Sequence, residues 1–153
     1  MGNPRRGRAG AVVRPPRPPY NRLHVPTLGA QEPAWELLIS LRDPVTGYDH
    51  GAVASFSARA AGVRRVRFAP PPVGLAAYDR RSREILLDDA LADEDPRALA
   101  AVLAHELRHA FEAAFSSARP QSCVDREVDA FEVSAQVWLA FWLGGELTER
   151  TSL

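Results

Sequence analysis

The run Ala101-Val102-Leu103-Ala104-His105-Glu106-Leu107-Arg108-His109-Ala110-Phe111-Glu112, residues 101–112, is rich in Ala and Leu, the strongest helix formers. It follows Asp95-Pro96, where an Asp side chain can accept from the free amides of a helix start and Pro can take the first helical position without losing a needed hydrogen bond. A long helix is predicted from there to about Ser117, with Arg119-Pro120 ending it. A second helix follows from about Val124 to Leu143, closed by Gly144-Gly145.

Upstream of this pair the texture is extended. Val63 to Ala69, Ala76 to Asp79 and Glu84 to Leu87 read as three short strands, with Asp79-Arg80-Arg81-Ser82 turning the second into the third. Before them, Trp35, Leu37, Leu38 and Leu41 recur at helical spacing until Asp43-Pro44 breaks the pattern. The predicted fold class is α+β, a small sheet of about three strands packed on two long helices with a shorter helix in front. Residues 1–31 hold six of the 13 prolines and four of the ten glycines. Such a composition cannot bury enough apolar surface to offset ordering entropy, so they are expected to be a disordered leader and 32–153 the domain. Within the leader, Arg14-Pro15-Pro16-Arg17-Pro18-Pro19-Tyr20 reads as a solvated linker or as a polyproline docking segment.

The 153 residues are 46% apolar and 25% charged, the profile of one globular domain. All 19 basic residues are Arg. Six of them precede residue 32 with no acid, giving +6, and the remaining 13 face 19 acids, giving −6. An acidic domain argues against nucleic-acid binding by the domain itself, which needs clustered positive charge. Val137 to Leu143, the longest late apolar run, is seven residues, far short of the roughly 20 that cross a bilayer. Neither this run nor the leader reads as a membrane span or a secretory signal. With the single Cys123, a reducing, cytoplasmic setting is expected.

His105-Glu106-Leu107-Arg108-His109 is an HExxH pattern. Two imidazoles at i and i+4 on one helix face, about 6 Å apart, can both reach one tetrahedral zinc, Zn2+. Glu106, one step round the helix, stands beside the metal's open position, where it can take a proton from zinc-activated water. Glu112 lies seven residues past His105, about 10 Å along the axis, too far to join them. The third ligand is sought on the second helix. There Glu127, Ala130, Phe131, Ser134, Trp138 and Phe141 form one largely apolar stripe, and a lone carboxylate on a core-facing stripe is costly unless it is paired or metal-bound. Glu127 is the candidate, with a helix-end ion pair to an Arg as the alternative. Asp125, Asp129 and Glu132 fall mostly off that stripe and read as solvated, with Asp129 hydrogen-bonding a ligand imidazole as the alternative. Cys123 reads as a small buried or capping residue rather than as a ligand or inhibitory thiolate.

The elements Leu103-Ala104-His105-Glu106-Leu107-Arg108-His109-Ala110-Phe111-Glu112 and, 18 residues after His109, Glu127-Val128-Asp129-Ala130-Phe131 resemble the zinc metallopeptidases of gluzincin type, including small bacterial peptidases. The resemblance spans about residues 76–143. It implies His105, His109 and Glu127 as metal ligands, Glu106 as general base, and zinc-dependent hydrolysis of peptide bonds. It also implies that strand 84–87 is an edge strand along which an extended peptide or protein substrate pairs. Members of the better-known branches carry a His, Tyr or Arg beyond the third ligand to stabilise the oxyanion. Here no His or Tyr follows Glu132 and only Arg150 is basic; upstream candidates are His50, Tyr48 or Tyr78, each of which reads otherwise as a surface or packing residue. Two other classes of reading remain: a zinc-holding regulatory or interaction module without general proteolytic activity, and a structural helical domain with an accidental motif.

Overall fold

The computed structural model describes residues 26–115 and 122–150, with side chains as far as Leu143. It is α+β: helices α1 (Glu32–Ser40) and α2 (His50–Ala61), strands β1 (Arg65–Phe68), β2 (Ala76–Asp79) and β3 (Glu84–Leu87), then α3 (Pro96–Phe115) and α4 (Cys123–Arg150). All three predicted strands are present, and the 79–83 segment turns β2 into β3. Asp79 accepts from Ser82 Oγ at 2.8 Å and from the Arg81 amide at 2.9 Å. The expected helix end near Ser117 and Arg119-Pro120 lies outside the described residues, as does residues 1–25 of the leader.

α3 is the spine, packed on α1, α2, α4 and β2. Its start is the expected one: Asp95 accepts from the Arg97 amide at 2.8 Å. Leu99, Leu103 and Leu107 are buried along it against Trp35 and Leu38 of α1, Ala54 and Ala58 of α2, and Val66, Ile85 and Leu87 of the sheet. α2 is an element the sequence reading lacked, because its buried face is Ala54, Ser57 and Ala58, too small to register as an apolar period. Its brackets were nonetheless legible. The Asp49 side chain caps it by accepting from Ala52, and Gly62 closes it in the left-handed region at φ 64°. Gly51 is fixed by a close approach, since a Cβ there would lie 2.0 Å from the Ile39 carbonyl oxygen of α1.

Three expectations are corrected. First, the sheet order is β1-β3-β2, with β3 parallel to β1 and antiparallel to β2. Strand 84–87 is therefore the central strand, its hydrogen-bonding edges both taken, and cannot accept an extended substrate. Second, α4 runs through Gly144-Gly145 to Arg150 instead of closing there. Third, residues 26–31, assigned to the leader, join the fold. Thr27 donates to Arg64 O at 2.8 Å and accepts from Val66 N at 3.1 Å, and the buried Gln31 amide donates to Val66 O. A chain starting at Pro26 is thus expected to be more stable than one starting at Glu32 by about 2–3 kcal/mol, because three hydrogen bonds, one from a buried amide, separate them. Denaturant midpoints of the two truncations check this; equal midpoints would place the boundary at 32 after all.

Candidate metal centre

α3 and α4 bring His105, His109 and Glu127 together, as the sequence predicted: one ligand atom from each lies within 4.8 Å of the others. The two Nε2 atoms are 3.0 Å apart. Glu127 Oε1 is 3.3 Å from His109 Nε2, and Oε2 is 3.5 Å from His105 Nε2. Donors 2.0–2.1 Å from a tetrahedral zinc stand about 3.3 Å from one another; the pairwise spacings approach this, each histidine meeting a different oxygen of the Glu127 carboxylate. The donor set, two imidazoles and one carboxylate, suits zinc and leaves a fourth position open.

The His105 ring is held in place from α4. The Ala130 backbone carbonyl accepts from His105, and Phe131 meets the same ring edge-on at 4.7 Å between centroids. Burial, and then the neighbouring His109, push the His105 imidazolium down from its ordinary range, against the opposing pull of Glu127. The neutral imidazole that a metal needs is therefore the favoured form.

Glu106 is 5% exposed. Desolvation pushes its carboxyl up to about 7 and the nearby Glu127 charge adds to this, while a hydrogen bond from the Tyr78 backbone N–H of β2 works the other way. A carboxyl poised near neutrality and held from one side is suited to receiving and returning a proton. Behind it, Arg108 bridges the helices, donating to Glu112 of α3 at 2.7 Å and to Asp129 of α4 at 2.8 Å. Asp129 thus fixes α4 on α3 through Arg108. Glu112 is outside the ligand cluster, as its axial offset requires.

The cluster opens into a cleft of about 910 Å³ whose walls include the 73–78 segment with β2 on one side and Cys123, Arg126 and Phe131 of α4 on the other. Cys123 is exposed on this wall, 3.3 Å from Arg126 Nη2, and is not part of the cluster. Of the upstream oxyanion candidates, Tyr78 lines this cleft and Tyr48 and His50 do not. Tyr48 and His50 meet edge-on at 4.8 Å between centroids and line a separate cavity of about 210 Å³ with α2 and the opposite side of α3. The Tyr78 hydroxyl is directed to the Ala61 carbonyl at 3.4 Å. The cationic side chains of the cleft are instead Arg80 and Arg126. Sequence reasoning passed over both; the place of Arg80 just past a strand end and of Arg126 beside a ligand was the available signal.

The argument that selected Glu127 needs revision even though the residue is in place. The face of α4 on the core is Ala130, Val137 and Ala140, with Val133 and Phe141 partly buried, whereas Phe131 is 63% exposed. The Glu127 side chain is 55% exposed at the cleft rim, so no large desolvation cost calls for a metal there. What recommends Glu127 is its geometry toward the imidazoles.

Comparisons of the chain with family models, with curated proteins and with solved structures find no match. The resemblance to gluzincin-type peptidases is carried by the residues alone. Among the described residues no helix is long and apolar enough to cross a membrane.

Proposed function

We propose that the chain is a zinc metallopeptidase that hydrolyses peptide bonds in extended segments, with His105, His109 and Glu127 as metal ligands and Glu106 as general base. The observation that carries this reading is the convergence of three donor side chains, one ligand atom from each within 4.8 Å of the others, beside a buried carboxyl that shares their cleft. When bound, zinc polarises a carbonyl and makes water acidic enough to be deprotonated near neutral pH. Glu106 takes that proton and returns it to the leaving amine, and the Tyr78 N–H holds its carboxylate in place meanwhile.

The strand that serves an extended substrate in this reading is β2. Its Leu75 and Asp79 carbonyls accept from the β3 side, from Asp88 N and Arg83 N, both at 2.8 Å. By alternation the backbone groups of Ala76 and the carbonyl of Tyr78 point to the cleft, the Tyr78 N–H being taken by Glu106. A peptide added there lies between β2 and α4, with Arg80 and Arg126 the cations nearest its carbonyls.

The test is metal analysis of the purified full chain with a cleavage assay on an unfolded protein. About one zinc per chain is expected, with cleavage lost in chelator and restored by added zinc. Stoichiometric zinc without cleavage would favour a zinc-holding regulatory module instead. Absence of zinc would make the motif accidental.

A further inference from the structure

α4 has a second apolar stripe, off the face that it packs on α3, from which the Phe131 ring still reaches His105 and the Trp142 ring lies 6.0 Å from the Arg97 guanidinium of α3. Val124, Val128, Phe131, Ala135, Trp138 and Trp142 follow one another at intervals of four, three, four, three and four residues, the 3.5-residue period of a helix seam that packs on another helix. All six are exposed, Val124 at 70% and Trp142 at 55%, and Leu139 beside them at 55%. Together they leave on the order of 700 Å² uncovered, close to the roughly 800 Å² per partner that a stable protein interface uses. An apolar patch of this size and regularity on one helix is the mark of an interaction surface.

We propose that this face is a two-fold interface, in which α4 packs antiparallel on α4 of a second copy of the chain. The sequence of the seam selects that occupant and that direction. Antiparallel pairing centred on residue 133 sets Val124 against the partner's Trp142, Val128 against the partner's Trp138, and Phe131 against the partner's Ala135. Every layer then joins a large side chain to a smaller one, as close packing requires. Parallel pairing sets Trp142 on Trp142, Trp138 on Trp138 and Ala135 on Ala135, crowding one end and leaving a gap at the middle. Charge favours the same direction. Asp125, Glu127 and Glu132 flank the N-terminal half of the seam, and no charged residue occurs from 133 to 143. Antiparallel packing lays each acidic half on a neutral one, where parallel packing would align acid with acid. The seam also borders the cleft, because Phe131 touches the His105 ring. The proposal does not rest on the metal reading.

The experiment uses sedimentation of the full chain and of two variants on the exposed seam, Val128→Lys and Trp138→Glu. The natural chain is expected to sediment as a dimer that dissociates on dilution. Each variant alone is expected to be monomeric, with its helical content unchanged. Mixed in equal amounts, the two should recover the dimer, because only antiparallel pairing brings Lys at 128 against Glu at 138 in one layer and leaves the other layer native. Leu139→Glu, at the seam's edge, should weaken the natural dimer without a change in fold. A natural chain that stays monomeric at roughly 100 µM, where even weak dimers assemble, would overturn the proposal. So would single variants that dimerise like the natural chain, or a mixture that stays monomeric.

Discussion

Glu106→Gln is expected to lower peptide hydrolysis by about 10²–10⁴-fold while zinc content stays at the natural level, because an amide can neither take a proton from water nor return one to an amine. The substitution is well suited to the site. The amide oxygen can still accept from the Tyr78 N–H, and removing an ionisable group that is 5% exposed relieves burial of a charge. The pH dependence of stability carries the same signature in chelator. Folding raises the Glu106 carboxyl from its usual 4.5 to about 7, so between those values the folded chain holds a proton that the unfolded chain has released. Stability of the natural chain should therefore fall as pH rises through that window, and Glu106→Gln should flatten the fall. Turnover rates with matched metal analyses decide the first point. Undiminished turnover would remove Glu106 from the mechanism.

His105→Ala is expected to abolish zinc binding, since a site that needs three protein ligands does not hold the metal on two. Zinc at a thousandfold its dissociation constant stabilises a folded chain by about 4 kcal/mol, on the order of 10 °C in melting temperature for a domain of this size, and His105→Ala should lose all of that increment. Glu127→Gln should lose most of it, a neutral amide being a poor zinc ligand. In chelator Glu127→Gln should melt with the natural chain, because its side chain is half exposed and makes little of the metal-free fold. A Glu127→Gln chain that is equally destabilised with and without zinc would point to an ion-pair role instead. Full zinc occupancy in His105→Ala would remove that ligand.

Much of this architecture could be read along the chain, for reasons that differ by element. α3 announces itself twice, by the Asp95-Pro96 cap and by its composition, and HExxH places two candidate ligands and the proposed acid-base group about one turn apart on it. The strands and the 79–83 turn follow from local alternation and turn chemistry. α2 was hidden because a helix that buries Ala, Ser and Ala leaves no apolar period. Strand order was hidden because β1 reaches β3 through a parallel pairing that no local pattern encodes, and so an open edge is expected at Glu84–Leu87, which is the central strand. α4 misled in another way: with one apolar face on α3 and another open, a single stripe drawn through Glu127 mixed residues of both. Glu127 survives because a helix packed on α3 at this register brings it to the imidazoles, whatever its burial.

The way α4 is attached has a further consequence. It packs chiefly on α3 and takes no part in the sheet, so its hold on the domain is the Ala130, Val137 and Ala140 face, the Arg108–Asp129 pair and, in the proposed metal-bound state, the ligand Glu127. A metal held by His105, His109 and Glu127 would act as a reversible cross-link closing a segment of about 22 residues, and the metal-free chain would open α4 more readily than the loaded one. Detachment of α4 would uncover its Ala130, Val137 and Ala140 face and the part of α3 beneath it to proteases and chaperones. Free zinc concentration would in that way set how long the chain survives in its surroundings, as well as how fast it works.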